Sequence, residues 1–335
     1  MILLLIGIPA VLAVLFQLIR NEKARGYVVY AGAGIIMLTT VIFIVRWITG
    51  GAQTWTFYPE TELIDHLMTA GDIFLMCLII YLSVKYGRIL PIILSVLQTA
   101  IVLYTEFTVE VAEGPHMMVD WLTILMCIII AFIGGFICIY TVGYMKGYHH
   151  HHKDVKDRQP FFFSMLFLFL AAMFGLVLSQ NLIWIYFFWE ITSVISFLMI
   201  GYTRSDEAVG NSFCALWMNL LGGLGFAVAI ALMAYLYGTL QLMDVVEIGA
   251  LLPLMCLSLA GLTKSAQLPF STWLLGAMVA PTPSSALLHS ATMVKAGVYL
   301  LIRISPALEG NLVGIIVSSI GGLTFIMASM MAIAQ

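Results

Sequence analysis

Apolar runs of membrane-spanning length, near 1–19, 27–48, 72–87, 89–106, 118–144, 161–179, 181–202, 211–237, 249–279, 285–304 and 311–333, occupy nearly the whole chain. A helix needs about 20 apolar residues to cross the hydrocarbon of a bilayer, and in lipid every backbone N–H and C=O must be satisfied inside the segment. These eleven runs therefore predict an all-α, polytopic integral membrane protein with as many transmembrane helices. Composition agrees: 62% of the 335 residues are hydrophobic and 9% charged, with a mean hydropathy of +1.06, where soluble domains carry roughly a quarter of charged residues. No stretch is left for an extramembrane catalytic domain, and a net charge of -3 without a basic block speaks against nucleic acid as a partner. Cys77, Cys127, Cys138, Cys214 and Cys256 stand singly in apolar runs, so no disulfide framework, iron–sulfur cluster or zinc site is expected, and no cofactor in this chain. The first run has neither a basic leader nor a small-residue cleavage site and reads as a retained helix.

Loop charges predict the orientation. Arg20, Lys23 and Arg25, then Lys85 and Arg88, then Lys146, Lys153, Lys156 and Arg158, then Arg204 fall in alternate loops; Glu60, Glu62, Asp65, Glu106, Glu110, Glu113, Asp244 and Glu247 fall in the loops between. Lys and Arg flanking short loops are retained in the cytoplasm, which places the chain in the cell membrane with its N-terminus outside. Arg46 and Arg303 run against this pattern. His149, His150, His151 and His152 look like a metal site, but adjacent residues on a short loop point apart and offer no fixed coordination geometry, so a solvated loop is expected there and no metal.

A charge near the bilayer centre costs roughly 2.5 to 3.5 kcal/mol on insertion scales, so intramembrane ionisable residues are functional candidates. Of 14 basic and 17 acidic side chains, all but Glu190, Lys264 and Lys295 fall in loops or near span ends, and His289 is the one histidine expected inside a span. Tyr186, Glu190 and Ser193 share one helix face at i, i+4 and i+7; the plainer reading of Glu190 is a carboxylate that fixes packing. Lys264 lies just before Pro269, which removes a helical hydrogen bond and pushes Leu268 out of helical geometry. The helix should break near Pro269, exposing backbone ends of the kind transporters use for ions; a simple proline kink would leave the lysine unexplained. After Pro281 and Pro283, the residues Ser285, His289, Thr292 and Lys295 form a slowly spiralling polar stripe that can host water and pass protons, although His289 alone could be a hydrogen-bonded packing residue. Gly222, Gly223 and Gly225 read as a close helix contact.

The segment GLTKSAQLPFSTWLLGAMVAPTPSSALLHSATMVKAGVYLLIR, with the FFWE run around Glu190 and the preceding GYMKGYH, resembles the antiporter-like subunits. These are the ion-translocating membrane subunits shared by respiratory complex I, the multisubunit sodium/proton antiporters and the membrane-bound energy-converting hydrogenases. The resemblance runs from about Asp120 onward, is weak before residue 110, and divides the chain into N-terminal helices (1–110), a family-like helix and cytoplasmic loop (111–160), a five-helix half-channel repeat (161–304) and the first helix of a second repeat (305–335) that would be incomplete. It implies that Glu190 is an acidic switch, that Lys264 on the broken helix is its proton-accepting partner, and that His289 and Lys295 continue the hydrophilic axis. It further implies a proton or sodium translocating subunit of an energy-converting redox complex. Other membrane subunits and a peripheral redox arm would be its partners, and iron–sulfur clusters and possibly a nickel–iron site would sit in those partner chains. The many methionines and the extra N-terminal helices incline the expectation toward the hydrogenase or formate hydrogenlyase branch. The rival readings are a sodium/proton antiporter subunit without redox partners, and a scaffold whose buried ion pair only fixes packing.

Overall fold

The computed structural model describes residues 1–58, 62–112, 114–152 and 155–334; Glu60, Glu113 and Lys153 lie outside them. The chain runs α1 (Ile2–Leu18), α2 (Glu22–Thr49), β1 (Trp55–Phe57), α3 (Glu62–Lys85), α4 (Ile89–Thr108), β2 (Met117–Val119), α5 (Trp121–His151), α6 (Gln159–Leu178), α7 (Leu182–Ile200), α8 (Asp206–Tyr237), the short α9 (Leu242–Ile248), α10 (Leu251–Lys264), α11 (Thr272–Gly276), α12 (Thr282–Leu308) and α13 (Leu312–Ala334). Among the described residues nine helices are long and apolar enough to cross a membrane, and the shorter α1 and α10 match the remaining two apolar runs. The chain is a multi-pass all-α membrane protein, as the apolar runs predict.

Helix boundaries follow local chemistry. Asn21, Asp120, Asn181 and Ser205 precede α2, α5, α7 and α8, and each side chain accepts from a backbone N–H of the first turn, where the helix has no acceptors of its own. Gly238, at φ 65°, ends α8 in the left-handed conformation that glycine adopts without strain. A small sheet pairs β1 with β2 antiparallel, Trp55 opposite Val119 and Phe57 opposite Met117.

α6 is the central strut, buried along most of its length against α1, α5 and α7, with Phe167, Leu170 and Phe174 wholly enclosed. α10 packs between α8 and α12, and α13 lies at the rim, nearly all exposed. A second apolar cluster, separate from the main core, joins Ile79 of α3 and Leu94 of α4 to Phe197 of α7 and Leu216 of α8.

Three expectations from the sequence need correction. α3 begins at Glu62 rather than near 72, with Asp65 and Thr69 taken up by hydrogen bonds to Trp184 and Glu106 of neighbouring helices; an apolar-run reading stops at the first charge. Asp72 is consequently a buried intramembrane carboxyl and not a span-end residue. His149, His150 and His151 belong to the last turn of α5 and not to a loop; His149 Nε2 lies 3.1 Å from the Tyr202 hydroxyl and 3.5 Å from Asp157. Among the described residues no three His, Cys, Asp or Glu side chains gather as a metal site.

The helices sort the loop charges to opposite ends. At one end Arg25 donates to Gln159 at 2.7 Å, Arg158 donates to the Tyr202 carbonyl, and Arg88 stacks over Phe213. At the other, β1 and β2 meet the turns before α7 and after α8, where Gln180 N donates to the His116 carbonyl and Ala112 N to the Gly238 carbonyl. Arg303, which breaks the charge rule, is buried beside that second end and clamped by Asp120, Thr123 Oγ1 at 2.7 Å and the Tyr299 hydroxyl at 3.0 Å. Burial by itself would raise the Asp120 carboxyl, but its hydrogen bonds from Arg303 and Thr123 bring it below its ordinary value.

Two outcomes are expected. In intact cells an impermeant thiol reagent should label Glu62→Cys and spare Lys23→Cys and Glu207→Cys; labelling of position 23 from outside would invert the orientation. Asp120→Ala should strand the buried Arg303 charge at a cost of about 3 kcal/mol, and Asp120→Ala with Arg303→Met should recover most of it, read as melting temperature in detergent. Because the Asp120 pKa is depressed in the folded protein, the pair's contribution is complete above the ordinary carboxylate value of about 4 and fades as pH falls through the lower folded value.

Candidate functional site

The site forms where a helix ends inside the membrane. α10 stops at Lys264, Ala266 adopts a left-handed φ of 55°, and the chain turns through Pro269 before α11 resumes at Thr272. Proline supplies no N–H and disfavours helix in the residue before it, and a break in lipid must find other partners for its backbone. Backbone turns supply some of them, Gln267 N donating to the Leu262 carbonyl at 3.0 Å and Ala266 N to the Thr263 carbonyl at 3.2 Å, and side chains supply others: Trp273 Nε1 donates to the Thr263 carbonyl at 2.9 Å, and Leu268 N donates to Thr324 Oγ1 of α13 at 3.0 Å. Thr324 thus serves the break, one role that no pattern in the sequence indicated.

Lys264 has no exposed surface. Its ammonium donates to the Trp189 carbonyl at 3.0 Å and to Ser193 Oγ at 2.8 Å, and sits 4.8 Å from the Trp189 ring, where the aromatic face attracts a cation. The Trp189 carbonyl also accepts from the Thr192 and Ser193 hydroxyls at 2.8 and 3.0 Å. Glu190 follows Trp189 directly, and it is not in contact with Lys264: no ion pair joins them among the described residues, although each lies within the other's field. Its Oε2 instead accepts from Gln98 Nε2 of α4 at 2.8 Å, while Glu190 Oε1 and Gln98 Oε1 are buried without a hydrogen-bond partner.

Glycines set this spacing. A Cβ on Gly223 would lie 2.5 Å from Glu190 Oε1 and 2.6 Å from Gln98 Oε1, and one on Gly222 would collide with Thr263. The predicted close contact of α8 is present, and it makes room for the carboxylate as well as for α10. Gly297 plays the same part in α12, where a Cβ would meet Ser265 N at 2.6 Å, so α12 crosses directly behind the end of α10.

The remaining candidates lie on α12 and are only partly assembled with this pair. Leu287–Ala291 form a π-helical segment and Thr292 leaves helical geometry at φ -143°, so the stripe Ser285, His289, Thr292, Lys295 is not the continuous α-helical line its spacing predicts. His289 hydrogen-bonds the Leu274 backbone on α11 and keeps a buried, unpartnered Nε2. Lys295 is half-buried. Among the described residues no hydrogen bond joins Lys264 to His289 or Lys295. A cavity of about 550 Å³ between α3, α6 and α7 is walled by apolar side chains such as Phe74, Leu78 and Phe187, and none of the four candidates lines it.

Sequence reasoning missed Gln98, Asp72 and Gly223's role. A signal was there: Asp65, Thr69 and Asp72 repeat at helical spacing on α3, as do Ser95, Gln98, Thr99, Thr105 and Glu106 on α4.

Comparison with known proteins places these residues in context. The family described as NADH:quinone oxidoreductase/Mrp antiporter, TM, matches residues 179–335, and that described as NADH-ubiquinone oxidoreductase (complex I), chain 5 N-terminus, matches 114–154. Proteins described as antiporter subunit mnhA2 from Staphylococcus aureus strains JH9 and USA300 / TCH1516 are each 38% identical over 227 residues, covering 64% of this chain and 27% of theirs. The chain therefore spans about a quarter of the length of these curated relatives. The solved structure of the Mrp complex from Dietzia sp. DQ12-45-1b contains a chain similar to 75% of this one and covered over 29% of its own length, with 27% identity and a TM-score of 0.54.

Gly223→Ala should force the Glu190 and Gln98 oxygens aside at about 1 to 3 kcal/mol. A lower melting temperature in detergent, partly restored by adding Gln98→Ala, is the expected result; an unchanged melting temperature would mean the space is not needed.

Proposed function

The chain belongs to the antiporter-like membrane subunits of the complex I and Mrp antiporter family, and we propose that it moves protons or sodium ions across the membrane as one subunit of a multisubunit antiporter. The observation that carries this reading is Lys264: a fully buried amine at a helix break, hydrogen-bonded to a carbonyl and a hydroxyl, with Glu190 near but not in contact. Burying a charge without a contacting counter-ion is costly, and a lysine relieves that cost by giving up its proton, which arginine does not do. Glu190 then acts at a distance. When its carboxylate is charged it favours the ammonium, and when it is neutral it releases the lysine proton toward α12. His289, with its free Nε2, and Lys295 are the groups that would receive it, with water bridging the gaps that no hydrogen bond spans.

A scaffold predicts a closed, contacting ion pair, and the separation of Glu190 from Lys264 favours transport instead. The relatives described above carry antiporter descriptions, so the antiporter is favoured over the redox-driven branch; a hydrogenase partner with a nickel–iron site and a redox arm draws no support from them. Other membrane subunits are the proposed partners, and the basic loops the proposed cytoplasmic face.

The test uses the assembled complex in everted membrane vesicles, where sodium addition collapses a proton gradient followed with a pH-sensitive dye. Lys264→Ala and Lys264→Arg should both lower the rate by about a hundredfold or more with the subunits still assembled. Glu190→Gln should fall steeply while Glu190→Asp keeps part of the rate. Normal transport by Lys264→Arg would remove reversible deprotonation from the mechanism.

A further inference from the structure

We propose that Asp72 is a second proton-exchanging carboxyl, carried by the α3–α4 hairpin, that trades protons with Glu190 from the end of the membrane where β1 and β2 lie. The inference rests on the transport reading above and extends it to residues outside the matched segments 114–154 and 179–335.

Topology marks the hairpin as an excursion. β1 and β2 pair directly with each other, so everything between them, α3 and α4 included, hangs from a closed two-strand ladder. The excursion folds back onto α7 and α8, with α3 against α7, α4 against α8, and their own apolar cluster between them. It therefore covers the Glu190 face of α7, and Gln98 of α4 is the side chain that binds Glu190.

Asp72 is 6% exposed, on the inner face of α3, and makes no hydrogen bond or ion pair to another described residue. Gly71 packs so closely on α7 that a Cβ there would lie 2.6 Å from the Phe187 ring, and Thr69, one turn earlier, bonds Glu106 of α4, so Asp72 is set beside the turn of α7 that carries Tyr186 and Glu190; Glu190, Tyr186 and Glu106 are the titratable groups in its field, and no cation is among them. Lys264 lies in the field of Glu190 but is not among the groups around Asp72, so charging both carboxyls at once leaves Asp72 without a cation to offset it; the proton rests on Asp72 while Glu190 is charged. Glu190 Oε1 and Gln98 Oε1 add an independent sign. Both are acceptors, 3% and 1% exposed as residues, both unpartnered and both turned to the Gly223 surface, an arrangement that calls for a donated hydrogen from a protonated carboxyl or a water.

A way out leads toward the sheet. Thr69 Oγ1 bonds Glu106 Oε1 at 2.7 Å and the Asp65 carbonyl at 2.9 Å, and Trp184 Nε1 donates to Asp65 Oδ1 at 2.7 Å near the start of α3. In the exchange, the Asp72 O–H bond breaks as a Glu190 O–H bond forms; Asp72 is left as carboxylate and regains a proton by way of Glu106.

The experiment uses the assembled complex in everted vesicles, with Lys264→Ala as reference, together with mass-spectrometric mapping of dicyclohexylcarbodiimide, which modifies protonated carboxyls in apolar surroundings. Asp72→Asn is expected to lower sodium-driven proton flux about tenfold or more and to alter its pH profile, with Asp72→Glu restoring much of the rate. In the otherwise native protein the carbodiimide should modify Asp72, and Glu190→Gln should reduce that modification about threefold or more, because removing one charge loosens the proton on its neighbour. Wild-type flux and pH profile in Asp72→Asn, with Lys264→Ala inactive, would overturn the inference and leave the transport reading standing. Should Asp72→Asn fail to assemble, an unmodified Asp72, or modification indifferent to Glu190→Gln, would overturn it equally. Wild-type flux in Lys264→Ala would remove the transport reading itself, and the inference with it.

Discussion

The fold around the site depends on a helix that ends inside the hydrocarbon. Ending α10 at Lys264 leaves backbone groups that lipid cannot satisfy, and the neighbouring elements are arranged to satisfy them: Trp273 returns to the Thr263 carbonyl, and Thr324 reaches across from α13 to Leu268 N. The same ending delivers an amine with no exposed surface to the middle of the bundle, and the Trp189 carbonyl and Ser193 hydroxyl accept its hydrogen bonds.

Close approach of backbones follows from this demand. Gly222 and Gly225 of α8 and Gly297 of α12 bring two helices against α10 nearer than any side chain would allow, in keeping with the use of small residues where membrane helices pack without a hydrophobic drive. The packing is tight at Lys264 and interrupted on α12, where the π-helical segment at Leu287–Ala291 and the turn at Thr292 loosen the helix carrying His289. A tightly packed segment and an interrupted one thus adjoin where α12 crosses the end of α10.

The polar interior is asymmetric. On one side of α7, Lys264 is held by fixed hydrogen bonds; on the other, Glu190 Oε1 and Gln98 Oε1 are buried acceptors without a donor. Unmet acceptors in an apolar interior are costly, and the structure tolerates several of them in one place, between α4, α7 and α8. Arg303 shows the contrasting solution, in which a buried charge is closed off by Asp120, Thr123 and Tyr299 with each guanidinium nitrogen hydrogen-bonded.

Much was legible in the sequence because lipid imposes simple rules: the eleven apolar runs, the break near Pro269, the intramembrane Glu190 and Lys264, and the close contact at Gly222 and Gly223 all follow from hydropathy, proline chemistry and the cost of buried charge. Asp72 and Gln98 escaped because a hydropathy reading sees the polarity of a segment and not its direction. Asp72 stood at the edge of an apolar run, and only the fold of α3 against α7 turned it inward. Likewise the spacing of Glu190 and Lys264 along the chain says nothing of their distance apart. Tertiary packing decided that they would share a field without touching, that α4 would supply the amide that holds Glu190, and that the helix bearing His289 would be interrupted, since each of these depends on which faces of separate helices meet and how closely their glycines let them come.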